Sequence, residues 1–318
     1  MSKEFILTTP VVFITYIRLD TAKIVFEQIR KAKPQKLYLI SDGGKDEIGC
    51  ERVKKVRDYI EKNIDWNCEV KKNYAVSNMG CRNRVQSGLS WVFKQEEQAI
   101  ILEDDVVPSA SFFEFCQEML DYYKNDGRIM MITGNKRLPD YKIEGDYTFS
   151  RFCSIWGWAT WRRAWISYDD EMSAWPKAKK QKLLKKIYGS NVSLSLSREF
   201  DMTYTGEINS WAYRWHLTMA VKGGLEIVPK YNLIDNIGQN NLDSTHSFKN
   251  KIDMVINDIE FPMSYQEEIV SNELYDKKIG DVLFKTSIFE KIIRYIVPPK
   301  WLKKARLFLE HLLGIDLS

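Results

Sequence analysis

The residues with the most evident chemistry are three consecutive carboxylates, Glu103-Asp104-Asp105. They follow directly on the apolar run Ala99-Ile100-Ile101-Leu102 and precede Val106-Val107-Pro108. A short apolar run bounded by polar residues reads as a strand buried on both faces. Such a strand cannot carry charge inside the sheet, so the acids belong at its C-terminal end, where open α/β sheets bind ligands. Three neighbouring carboxylates raise each other's pKa unless a cation sits among them. Hard divalent cations prefer carboxylate oxygens, and Mg2+ is commonly held by one or two carboxylates together with substrate phosphates. The triplet therefore reads as a metal–diphosphate site; the plain alternative is an acidic turn that caps the next helix.

Other stretches could join it. Asp42-Gly43-Gly44 ends a second apolar run, where a carboxylate could hold a base or ribose, or where Gly simply serves a turn. Asn78-Met79-Gly80-Cys81-Arg82-Asn83-Arg84 offers a Gly-opened helix start with Arg beside it, a setting that suits an anion. Trp156-Gly157-Trp158-Ala159-Thr160-Trp161, with Trp165 beyond, reads as a loop presenting indoles to a sugar, with core burial as the rival. Aromatic platforms suit the apolar C–H faces of sugar rings. His246 falls in a polar loop, where solvent exposure competes with a role as metal or phosphate ligand.

These groups need a scaffold. Val11 to Tyr16 reads as a first strand and Ala22 to Lys33 as an amphipathic helix capped by Asp20 or Thr21 and stopped at Pro34. Leu37 to Ser41 is a second strand, Asp46 to Glu61 a helix, Cys68 to Val70 a third strand and Cys81 to Phe93 a further helix. Strands alternating with helices at this spacing mean βαβ units and a mainly parallel open sheet flanked by helices. Phe112 to Lys124 continues as helix and Arg128 to Asn135 as strand. The Lys-rich run from Trp175 to Lys186 reads as a helix with one basic face, and Asn209 to Val221 as another helix before the short strand Leu225 to Pro229.

Composition is that of a globular α/β protein: 318 residues, 44% hydrophobic and 28% charged, with ten Trp and sixteen Tyr. A net charge of +4 is too small to imply nucleic acid. Five Cys without a C-x-x-C spacing fit reduced cytosolic thiols better than a disulfide framework. Charge at Lys3 and Glu4 interrupts the apolar core a signal peptide needs, and no stretch is long enough to span a membrane. The expected location is cytoplasmic. After an acidic linker near 267–278, apolar residues at Ile288, Ile292, Ile296, Trp301, Phe308 and Leu312 run beside Lys300, Lys303, Lys304 and Arg306. Between Lys285 and Arg306 there are seven Lys/Arg against one Glu. That composition suits helices lying on the inner face of an anionic membrane. Docking on the protein's own core, or on a second subunit in a homo-oligomer, would need the same stripe.

Taken in order, Leu102-Glu103-Asp104-Asp105, Trp156-Gly157-Trp158-Ala159, Trp211-Ala212-Tyr213-Arg214-Trp215, Ile227-Val228-Pro229 and Asp235-Asn236-Ile237-Gly238 make the chain resemble a nucleotide-diphospho-sugar glycosyltransferase of the GT-A fold. It is similar to bacterial glycosyltransferase-family-2-like proteins of polysaccharide gene clusters and, more distantly, to the N-acetylglucosaminyltransferase I type. The resemblance implies a catalytic domain over 1–266, with a nucleotide-binding half (1–135) and an acceptor half (136–266), then a C-terminal helical tail over 267–318. It implies metal-dependent, inverting transfer of a hexosyl or N-acetylhexosaminyl group from a UDP-sugar to a glycan or lipid-linked acceptor in cell-surface polysaccharide synthesis, with Mn2+ or Mg2+. Asp105 and His246 would attend the metal, and Glu103 and Asp104 the ribose and diphosphate. Thr15 and Asp42 would lie near base and ribose, and Gly80 and Arg84 along the diphosphate pocket. Trp156, Gly157, Trp158 and Trp211 would line the sugar and acceptor side.

In one place the chain departs from that pattern. Related sequences often carry an Asp within the Trp-x-x-x-Trp helix start as catalytic base, and here Trp211 to Trp215 holds no carboxylate. Glu207 is the first candidate to replace it, then Asp201, with Asp170 and its neighbour Asp169 behind. The missing acid also admits a non-catalytic sugar-binding subunit. A sugar-phosphate nucleotidyltransferase is disfavoured, because no Gly follows the first strand to grip a triphosphate.

Overall fold

The computed structural model describes residues 5–240 and 255–284. Each apolar run forms a strand because only a sheet buried on both faces accepts it. Thus β1 (Val11–Thr15) is buried throughout, followed by α1 (Leu19–Ala32), β2 (Lys36–Ser41), α2 (Glu47–Lys62), β3 (Glu69–Tyr74), α3 (Gly80–Phe93) and β4 (Gln98–Glu103). Helix α1 ends where Lys33 turns left-handed and returns its N–H to Ile29, one residue before Pro34. The Asp46 carboxylate caps α2 by accepting the Gly49 N–H. A short β5 (Val106–Pro108), α4 (Ala110–Tyr122) and β6 (Ile129–Thr133) complete the first half, close to the expected positions.

The second half contributes β7 (Tyr147–Ser150), β8 (Trp158–Trp161), α5 (Arg162–Trp165), α6 (Trp175–Lys180), α7 (Leu183–Tyr204, kinked at Gly189), α8 (Trp211–Lys222), β9 (Leu225–Pro229), β10 (Ile234–Asn236) and α9 (Glu273–Leu283). The sheet order is β3-β2-β1-β4-β8-β6-β9-β7, with β10 and β5 as a separate antiparallel ribbon. Four pairings among the described strands of the large sheet are parallel and three antiparallel, so the expected α/β sheet flanked by helices is present, but mixed. Strand β8 runs against both β4 and β6 and joins the two halves. One face packs on α1 and α4 through Phe13, Phe26, Leu102, Phe112 and Ile132; the other packs on α3 and α8 through Val12, Tyr38, Ile40, Leu89 and Trp215.

Two sequence expectations are corrected by packing. The tryptophan stretch is not a loop open to a sugar, because its greater part is β8. Trp158 is 1% exposed and Trp211 3% exposed, with ring centroids 5.7 Å apart in a stacked pair that Trp165 and Trp215 enclose. Each indole carries enough apolar area for burial to outweigh a role at the surface. The stretch 267–278, read as a linker, holds the first half of α9. There Tyr275 and Ile279 are fully buried, the latter beside Val192 and Val228. His246 and the basic tail beyond Phe284 lie outside the described residues.

A buried polar knot fastens the far edge of the sheet. Glu226 on β9 accepts the Ser154 backbone N–H at 2.8 Å and its hydroxyl at 3.1 Å, and Arg137 donates to the same hydroxyl at 2.8 Å. Burial pushes the Glu226 carboxyl up to about 8, against which the Arg137 charge acts only partly. A carboxyl raised in the folded state binds its proton more tightly there than in the unfolded chain. Its contribution is therefore complete below the unfolded value of 4.5 and is lost as pH rises towards 8. The melting temperature of Glu226→Gln, relative to wild type, should accordingly rise between pH 5 and pH 8. Parallel melting curves for the two proteins across that range would remove this assignment.

Candidate active site

The C-terminal ends of β1, β2 and β4 lie side by side, with Ile14 opposite both Ile40 and Glu103. The β1–α1 turn folds over the acid triplet. The Tyr16 backbone N–H donates to Asp104 Oδ2 at 3.0 Å, and Arg18 reaches Asp104 Oδ1 at 2.5 Å and Asp105 Oδ2 at 2.8 Å. One guanidinium thus bridges two carboxylates, a geometry that its fixed fork favours. Asp104 is 3% exposed, and burial raises its carboxyl to about 6 although Arg18 opposes the shift. Glu103 has no ion-pair partner among the described residues. Burial first, then Asp105 and Asp104, push it up to about 8. Gly238 lies against Asp105: a Cβ there would stand 2.0 Å from Asp105 Oδ2, so any other residue would push the carboxylate aside. The Ile237 N–H, donating to the Asp105 carbonyl at 2.9 Å, holds that approach.

Asp42 has a different task from the one expected. Its Oδ1 accepts the N–H groups of Gly43 at 2.9 Å and Met79 at 2.8 Å. Its Oδ2 accepts from Gly80 N at 2.9 Å and Asn78 Nδ2 at 3.0 Å. Four donors fill the lone pairs of a carboxylate, leaving none for a base or ribose. The anion that the start of α3 attracts is this side chain, and Gly80 (φ +76°) turns its own N–H towards it. Thr15, 5% exposed, ends β1 alongside and accepts the Asp42 N–H through its carbonyl at 3.3 Å. Arg84 is also corrected: it is 4% exposed and its guanidinium is bonded to Asn73 on β3 at 2.9 Å. Cys81, in the first turn of α3, does share the cleft. Desolvation, then Glu103, Asp42, Asp104 and Asp105, push its thiol up to about 12.

The next residue, Arg82, links this cleft to the second half. It grips Asp170 through Nε at 3.1 Å and Nη2 at 2.6 Å. Arg214 on α8 donates to the Asp170 carbonyl at 2.6 Å, and the Tyr168 hydroxyl reaches the Trp211 carbonyl at 3.4 Å. Asp170 therefore lies against the helix start where a carboxylate is missing at Ala212. The other acids do not. Asp201 is held by Lys179 at 2.7 Å and by the Trp175 indole at 3.0 Å, on the outer helices. Glu207 is exposed and takes a bond from Thr205 at 3.2 Å, and Asp169 caps the turn through Ser173 and Ala174. Gly157 (φ +57°) packs under Ile234, and Trp156 is half-buried beside it. Sequence reasoning gave Arg18 no role, and it read Arg82 only as an arginine suited to a bound anion, not as the partner of Asp170. Arg18's signal was a lone basic residue three positions after β1.

No family model matches the chain, and no curated protein matches it. Among solved structures it is similar to S. aureus TarS 1-349, at 12% identity and a TM-score of 0.40, over 73% of this chain and 60% of that one. It is also similar to the mannosyltransferase PcManGT from Pyrobaculum calidifontis, a complex with GDP-Man and Mn2+, at 12% identity and a TM-score of 0.34, over 63% and 53%. The chain thus spans less than two thirds of either. These are likenesses of general outline, and no residue here takes a role from them.

Removing the Asp42 carboxylate strands three donors at the start of α3 and the Gly43 N–H after β2. Asp42→Ala should cost roughly 2 kcal/mol or more, read from urea unfolding, since bonds to a charged acceptor are worth about 1.5–3 kcal/mol each. A loss below about 0.5 kcal/mol would contradict the structural role.

Proposed function

We propose that the chain is a glycosyltransferase of GT-A type. It moves a hexosyl or N-acetylhexosaminyl group from a nucleoside-diphosphate sugar, UDP being the first base to test, to a hydroxyl of a glycan or lipid-linked acceptor. The observation that carries this reading is the acid triplet at the C-terminal end of β4, where Asp104 and Asp105 share a single arginine and Glu103, beside them, has no ion-pair partner among the described residues. If all three are ionised, two negative charges are left over. Among the described residues no group of three His, Cys, Asp or Glu side chains is arranged to hold a metal ion by itself. A divalent cation held by one or two of these hard carboxylate donors and completed by diphosphate oxygens does fit. Asp105 with Asp104 or Glu103 would hold it, and when bound it offsets the charge that develops on a departing diphosphate.

The residues of the second half supply the other end of the reaction. Asp170, oriented by Arg82 at its carboxylate and by Arg214 at its backbone carbonyl, accepts the proton of the acceptor hydroxyl as its oxygen attacks the anomeric carbon. The carbon–oxygen bond to the diphosphate breaks on the opposite face, and configuration inverts. The Arg82 guanidinium already occupies both oxygens of Asp170, which favours, as second reading, a protein that binds sugar nucleotide without transfer.

Both readings meet in one assay, Mn2+-dependent turnover of a panel of sugar nucleotides. Asp105→Asn should abolish turnover. Asp170→Asn should lower kcat by about a hundredfold or more while leaving donor binding within a few-fold. Donor binding with no wild-type turnover would select the second reading, and full activity in Asp105→Asn would remove the metal role.

The described residues contain no helix long and apolar enough to cross a membrane. Attachment at a membrane surface would rest on the basic segment after Phe284. A chain cut there keeps α9 whole and should lose flotation with anionic liposomes; undiminished flotation would place attachment elsewhere.

A further inference from the structure

The bridge from Arg18 to Asp104 and Asp105 has a consequence for how ligands arrive. Arg18 is 19% exposed, and its two terminal nitrogens are committed to two carboxylates that are 4% and 16% exposed. Asp105 Oδ2 lies between Arg18 and Gly238, and Asp104 spends one oxygen on Arg18 and the other on the Tyr16 N–H. A cation that takes Asp105 competes with Arg18 for it, and the guanidinium, left with Asp104 alone, stands beside the incoming charge. Two like charges brought together where water is scarce strongly oppose binding. A diphosphate arriving with the cation removes that conflict, because its oxygens are the planar, bidentate partners that a freed guanidinium accepts best.

We propose that Arg18 is a resident counter-ion that couples the two ligands: the acid site takes a divalent cation weakly by itself and tightly when a nucleoside diphosphate comes with it. The inference rests on the donor-site reading above. Binding linkage makes the coupling reciprocal, so the cation must strengthen nucleotide binding by the same factor.

Mn2+ binding to the full chain, followed by the electron paramagnetic resonance of free Mn2+, tests this directly. Wild type, Arg18→Gln and Arg18→Lys are compared with Mn2+ alone, with UDP and with GDP, correcting for the Mn2+–nucleotide complex in solution. Arg18→Gln should bind Mn2+ alone about tenfold more tightly than wild type, and the nucleotide should strengthen that binding much less. Arg18→Lys, which keeps the charge, should stay close to wild type. Thermal melts guard against misfolding: Mn2+ alone should raise the melting temperature of Arg18→Gln more than that of wild type. Wild type binding Mn2+ with nucleotide, while Arg18→Gln gains no affinity for Mn2+ alone, would overturn the counter-ion role and spare the donor site. Wild type binding neither ligand in any combination would overturn both.

Discussion

Charge at the end of a buried strand is the constraint on which this structure depends. β4 must be apolar to sit at the centre of the sheet, and it delivers three carboxylates together at its edge. Solvent alone cannot dissipate their repulsion, because the β1–α1 turn and Gly238 wall them in. Much of the surrounding architecture can be understood as managing that field. Arg18 bridges two of the acids, and Tyr16 spends a backbone donor on one. A second device serves Asp42 nearby, where the start of α3 gives three backbone and side-chain donors to one carboxylate.

The same economy explains the link between the halves. α3 starts at the knot around Asp42, presents Cys81 to the acid cleft, and one residue later extends Arg82 to Asp170. A single helical turn thus sets the separation between the diphosphate end and the base end of the proposed reaction. Orientation across the cleft follows from α3 being rigid, with Val85, Leu89 and Val92 buried under β2 and β1.

Sequence reasoning recovered the strands and helices of the first half because their signals are local: apolar runs, caps and breakers within a few residues. It also placed the acid triplet, since burial of β4 follows from Ala99 to Leu102 alone. It failed where the deciding partner is distant. Asp42 reads as a free carboxylate until Asn78, Met79 and Gly80, some 36 to 38 positions on, are seen to claim it. Arg18 pairs with acids 86 and more residues away, and a lone arginine in a turn carries no pattern. The tryptophans misled for another reason. An indole in a core and an indole at a sugar site have the same composition and the same neighbours in the chain, and only packing against Trp211 and Trp215 separates them.

Strand β8 has an implication for biosynthesis. It is the only described strand that pairs with β4 on the side away from β1, and it does so in antiparallel register, Ile101 opposite Trp158. A chain emerging from the ribosome can assemble β1 to β4 early, but the outer rim of β4 keeps its backbone donors and acceptors bare until residue 161 has appeared. Open rims of this kind recruit other nascent chains. Throughout the interval between the two strands, β4 can therefore pair with a strand of another chain instead of its own β8.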